Sequence, residues 1–212
     1  PRMVWGVEDI VMCPGKEDMF RFLEDVVREV VPLFPGKYFH IGGDECPKTS
    51  WKNCPACQKR IEAEGLQADG KHSAEERLQS YVIKRMEKML AKYDRKIIGW
   101  DEILEGGLSP DATVMSWRGT SGGISAALQK HDVIMTPGSG GLYLDHYQGD
   151  YKIEPVTIAS SPAYLSKTYN YEPVPDTIKS LGLEKHILGV QCNNWSEYMY
   201  TNAKMEYQMY PR

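Results

Sequence analysis

The segment Lys37-Tyr38-Phe39-His40-Ile41-Gly42-Gly43-Asp44-Glu45 decides how this 212-residue chain is read. A short run of strand-forming residues ends in two glycines and then in two adjacent carboxylates. In parallel sheets and barrels, reacting groups stand where strands end at their carboxyl edge. Gly42 and Gly43 remove bulk at such an edge, so a ligand can come close to the backbone. Taken alone, Gly-Gly-Asp-Glu reads equally well as a tight turn with two solvated acids. The rest of the chain decides between these readings.

Upstream, Lys16 to Phe34 carries Phe20, Leu23, Val26, Val27, Val30 and Val31 near helical period, and Pro35-Gly36 stops it just before the strand. The apolar stretch from Val4 to Met12 allows a further strand near the start. Downstream comes a Cys/Pro/Lys-rich loop to about residue 60, then a long helix from about Ser73 to Tyr93. Ser73 and Glu76 have the spacing of a capping box, and Leu78, Tyr81, Val82, Met86, Met89 and Leu90 form an apolar stripe. Strands follow at 96–100, 113–117, 132–135 and 187–191, with a short helix over 121–130. Residues 140–176 are tyrosine- and proline-rich without helical period, and a loop of that length usually serves a function. The alternation of helix with strands apolar on both faces predicts an α/β fold with a covered parallel sheet. Five strands are clear and a sixth is possible. Neither a dinucleotide nor a P-loop glycine signature follows any of them.

The bulk numbers exclude several classes. A net charge of −4 gives no reason to expect a nucleic-acid partner. No apolar run reaches the roughly 20 residues of a membrane span. The chain starts at Pro1 without a targeting signal and stops in Met205-Glu206-Tyr207-Gln208-Met209, which reads as the opening of a helix, so a fragment is expected. Cys46, Cys54 and Cys57 lie close in sequence, the last two as Cys-Pro-Ala-Cys. They fit free thiols, a disulfide in an oxidising compartment, or a zinc site one ligand short. Spacing selects no fourth ligand among Cys13, Cys192 and His72, so no metal and no cofactor is assigned.

Side by side, the strand ends carry Asp44 and Glu45, Trp100, Trp117, Tyr143 with Asp145, and Trp195 with Glu197. A lone tryptophan there is normally a core or rim aromatic. Three on one edge, each near carboxylates, suit a sugar, whose C–H faces lie on indole and whose hydroxyls donate to carboxylates. Neighbours in an extended chain point to opposite sides, so Asp44 and Glu45 do not readily become the flanking nucleophile and acid of an ordinary retaining glycosidase. One acid would donate the proton, the other would hold the substrate, and the nucleophile would come from the substrate itself. Repulsion and burial against tryptophan are expected to raise the pKa of the acid. Asp101-Glu102 reads as a supporting or helix-starting pair, and His40 as a buried hydrogen-bonding partner of the site.

The segments His40-Ile41-Gly42-Gly43-Asp44-Glu45, Gly99-Trp100-Asp101-Glu102, Met115-Ser116-Trp117-Arg118-Gly119, Tyr143-Leu144-Asp145 and Asn194-Trp195-Ser196-Glu197 resemble glycoside hydrolase family 20, the β-N-acetylhexosaminidases, in order and approximate spacing. The resemblance implies that residues 1–212 are the later part of a single catalytic (β/α)8 TIM-type barrel, with five or six of its eight strands. The remaining strands would come from the rest of the full-length protein. It implies release of terminal β-linked N-acetylhexosamine with retention, the substrate's acetamido oxygen acting as internal nucleophile. Glu45 then matches the general acid/base and Asp44 the residue that orients the acetamido group. Trp100, Trp117 and Trp195 match an aromatic box, Tyr143 a hydroxyl donor, and Asp145 and Glu197 acceptors for the outer hydroxyls. His40 is counted with the substrate-binding residues. The implied partner is a carbohydrate, and a periplasmic or extracellular location follows from that substrate class. A sugar-holding barrel without turnover is the competing reading. Gly138-Ser139-Gly140-Gly141 departs from the family pattern, in which bulkier residues precede the tyrosine.

Overall fold

The computed structural model describes residues 6–158 and 162–212. It divides into two compact units, Pro1–Thr113 and Val114–Arg212. Five strands appear among the described residues: β1 (Tyr38–His40), β2 (Lys96–Trp100), β3 (Thr113–Ser116), β4 (Val133–Met135) and β5 (Ile187–Val190). They lie where hydrophobic patterning puts them, β2 with the expected bounds and the other four shortened by a residue or two. The sixth strand is not found over residues 6–12, and Val4 and Trp5 lie outside the described residues.

In the first unit, β1 pairs in parallel with β2, Tyr38 opposite Lys96 through His40 opposite Ile98. Two long helices flank the pair. The first, α1 (Glu17–Val30), buries Phe20 and Val27 but leaves Val26 exposed. The segment expected as loop carries two helices, α2 (Thr49–Lys52) and α3 (Pro55–Ala63). The second long helix, α4 (Ala74–Ala91), starts at the expected capping box, with Ser73 and Glu76 bonded reciprocally. It packs on β2, burying Leu78, Met86, Met89 and Leu90 together with Ile83. Glu17 ties the helices together by accepting from Arg60 of α3 and Arg85 of α4.

In the second unit, β3 pairs with β4 and β4 with β5, all in parallel, with a register shift at Val133/Ile134. Helix α5 (Ser121–Leu128) packs on β4. Its Gly123 sits close to the strand, where a Cβ would stand 2.7 Å from Met135 Sδ and 3.0 Å from Val133 Cγ1. The tyrosine-rich stretch holds one short helix, α6 (Leu165–Tyr169), and α7 (Asp176–Ser180) follows it. The C-terminal helix α8 (Asn202–Met209) opens earlier than expected, with Thr201 as its cap. Residues of β2 and β3 are covered as expected, whereas β1 and β5 expose alternate residues, among them Leu188 and Val190.

Candidate active site

The acid loop grows directly from the end of β1. The ladder to β2 continues past the strand, with Ile41 N–H donating to Ile98 O and Trp100 N–H to Gly42 O, both at 2.9 Å. Beyond that the chain turns sharply. Gly42, Gly43 and Glu45 all have positive φ, at 71°, 96° and 45°. A Cβ on Gly43 would also stand 2.6 Å from Ile103 Cγ2, so glycine is needed there twice over. Glu45 is not glycine, and an L-residue in the left-handed region is uncommon and concentrates at functional sites.

This turn alters the expected relation of the two acids. The segment is not extended, so alternation of side chains does not describe it. Asp44 folds back toward Gly42, its Oδ1 lying 3.5 Å from where a Gly42 Cβ would be. His40 Nδ1 accepts from Gly42 N–H at 3.0 Å, and its ring stands 4.7 Å from that of Trp100. Surrounding atoms hold its pKa below the usual histidine range, opposed by Asp44. With Nδ1 accepting, the neutral ring carries its proton on Nε2. Asp44 and Glu45 themselves are exposed, so the expected burial against tryptophan is not met among the described residues. His40 is likewise more open than expected.

Behind the loop stand residues that the sequence did not single out. Gln79 of α4, 3% exposed, donates through Nε2 to Gly43 O and to Glu102 O, each at 3.2 Å. One amide thereby fastens both the acid loop and the turn after β2. Lys48 donates to Cys46 O at 2.8 Å and to Gln79 Oε1. Asp101 and Glu102 open a 3-10 turn over Asp101–Leu104 and are buried, in keeping with a supporting role.

The second unit gathers the other predicted residues. The rings of Trp117 and Tyr143 lie parallel with centroids 6.4 Å apart, and Trp195 meets Tyr143 edge-on at 6.0 Å. The glycines ahead of Tyr143 make room for rings. A Cβ on Gly138 would lie 3.1 Å from the Tyr143 ring, and one on Gly140 2.7 Å from that of Tyr171. Asn193, just past β5, is a further residue that patterning missed. It exchanges backbone bonds with Leu142 and Leu144 at 2.8 and 2.7 Å, and its Nδ2 donates to Thr136 Oγ1 at 3.0 Å. It joins the ends of β4 and β5 to the Tyr143 loop.

Asp145 is 2% exposed, and neither carboxylate oxygen has a hydrogen-bond partner among the described residues. His146 Nε2 stands 4.0 Å from Oδ2. Burial pushes the Asp145 carboxyl above its usual range, His146 and the backbone N–H groups of Asp145 and Trp195 oppose, and the nearby Glu197 adds to the rise. Glu197 itself is exposed. Gln208 of α8 holds the Asp145 carbonyl at 3.0 Å, and Arg212 caps the carbonyls of His146 and Ala163 at 3.2 and 2.9 Å. A buried carboxylate that meets no side-chain donor at hydrogen-bond distance, beside stacked aromatics, is suited to a ligand with hydroxyl donors.

The model of the glycosyl hydrolase family 20 catalytic domain matches residues 1–212, the whole chain. The chain belongs to glycosyl hydrolase family 20. It is 59% identical to a β-hexosaminidase of Porphyromonas gingivalis and 34% identical to one of Vibrio furnissii, matched over its full length. It spans only 26% and 34% of those proteins. Among solved structures, the exo β-N-acetylglucosaminidase of Vibrio harveyi in complex with N-acetylglucosamine superimposes with a TM-score of 0.83. That match has 31% identity and covers 95% of this chain and 30% of that one. The parallel strands with intervening helices are thus five strands of the family 20 fold, a partial (β/α)8 barrel.

Proposed function

We propose that this family 20 chain serves the release of terminal β-linked N-acetylhexosamine by a retaining, substrate-assisted reaction. The observation that carries the proposal is Glu45, a carboxylate held in the left-handed region at the end of a strand, directly after Asp44. In this reading Glu45 protonates the glycosidic oxygen while the acetamido carbonyl oxygen attacks the anomeric carbon, giving an oxazolinium intermediate. Glu45 then takes a proton from the water that opens it. Asp44 accepts from the acetamido N–H and offsets its developing positive charge, and Tyr143 donates to the acetamido oxygen. Trp100, Trp117 and Trp195 line the methyl group and ring, and Asp145 and Glu197 accept from the outer hydroxyls. His40, through its bond to Gly42, positions Asp44.

The test uses the full-length protein with an aryl N-acetyl-β-glucosaminide and the plain aryl β-glucoside. A nucleophile carried by the acetamido group demands a large preference for the first. Glu45→Gln should lower turnover by about 10²–10⁴-fold while the sugar still binds. Equal turnover of the two substrates, or a wild type as inert as the variant, would contradict the proposal.

A further inference from the structure

The structure assembles three thiols that the reaction does not use. Cys13, from the loop ahead of α1, stands 3.6 Å from Cys54 and 3.5 Å from Cys57, sulfur to sulfur. All three sulfurs lie within 4.8 Å of one another. Cys46, which sequence spacing grouped with Cys54 and Cys57, is not in this cluster, and Cys13 takes its place.

The setting is that of a ligand site. Cys54 caps α3 and Pro55 starts it, so Cys-Pro-Ala-Cys wraps the helix N-terminus. Cys57 is fully buried, at 0% exposed. The Cys13 loop is pressed on this turn, since a Cβ on Gly15 would fall 2.2 Å from the Ala56 carbonyl carbon. Trp51 Nε1 closes the junction by donating to Met12 O at 2.9 Å. Around the sulfurs, Trp51, Cys57, Ile61 and Leu78 form an apolar cluster.

We infer that Cys13, Cys54 and Cys57 form a metal site for a soft divalent ion of the zinc type, with its fourth position open to solvent beside the half-buried Cys54. Metal–sulfur bonds of about 2.3 Å at tetrahedral angles place sulfurs roughly 3.8 Å apart, close to the spacings found here. A disulfide would use two of the three sulfurs and leave the third with no role. The ion fastens the loop before α1 to the segment that leaves Glu45, so it anchors the acid loop rather than taking part in chemistry. The inference does not depend on the proposed reaction.

The test is metal uptake by the full-length protein, purified under reducing conditions and titrated with Zn(II), with Co(II) as optical probe. One ion per chain is expected, with thiolate-to-cobalt charge-transfer absorption and a melting temperature that falls by several degrees on chelation. Cys13→Ser and Cys54→Ser should abolish uptake, whereas Cys46→Ser and Cys192→Ser should retain it. No uptake by the reduced protein would overturn the site. So would uptake that survives Cys54→Ser, or a native disulfide joining any two of the three residues.

Discussion

Glu45 shows what a single backbone angle can disclose. Its φ of 45° costs about 1–2 kcal/mol for an L-residue. Replacing it with alanine keeps that strain, whereas glycine relieves it and gives part of the gain back as unfolded-state entropy. Glu45→Gly should therefore melt higher than Glu45→Ala by about 1 kcal/mol, both being inactive. Equal melting temperatures in the full-length protein would show that the turn is unstrained. Asp145 makes a second case. Because burial raises its pKa, the folded chain binds its proton more tightly than the unfolded chain does. That stabilisation is fully present below the ordinary value of 3.8 and is lost as pH rises through the raised one. Asp145→Asn should accordingly stabilise the protein at neutral pH, by about 1 kcal/mol, while activity falls. Calorimetry across pH checks this, and the gap between variant and wild type should close as the medium turns acidic.

At the scale of elements, α4 does more than cover the sheet. Gln79 lies on its buried face and satisfies two carbonyls from two different turns. Gln79→Leu leaves both unpaired, at about 1–3 kcal/mol, and loosens the acid loop. The signature is a fall in kcat larger than any change in KM, together with faster amide exchange over residues 42–46. Unchanged kcat would confine Gln79 to packing. The long, strongly patterned elements were legible in the sequence: α1, α4 with its capping box, and all five strands. Helices α2 and α3 were not, because α2 is a single turn and α3 buries only Cys57 and Ile61, too few to make a stripe. The candidate site residues were picked out because they stand at strand ends. Gln79 and Asn193 were not, and Cys13 stood only as one of three candidate ligands, since each acts through a contact distant in sequence. Gly138 and Gly140 looked like a departure from the family pattern, yet they are spaces cut for the rings of Tyr143 and Tyr171.

For the whole molecule, five strands are present among the described residues where a full barrel has eight. Leu188 and Val190 on β5 and Tyr38 on β1 stand about half exposed, and uncovered apolar strands invite association. These 212 residues expressed alone should therefore form soluble aggregates or oligomers with little turnover, which light scattering and the aryl substrate assay would reveal. A monodisperse monomer with normal turnover would refute this. The left-handed angle at Glu45 reaches further, into ancestry. A lineage that no longer needed the proton donor would be released from holding glutamate there, and would drift to glycine or asparagine, which that geometry favours. The residue found at this one position would then sort descendants that still cleave sugars from those that only cling to them.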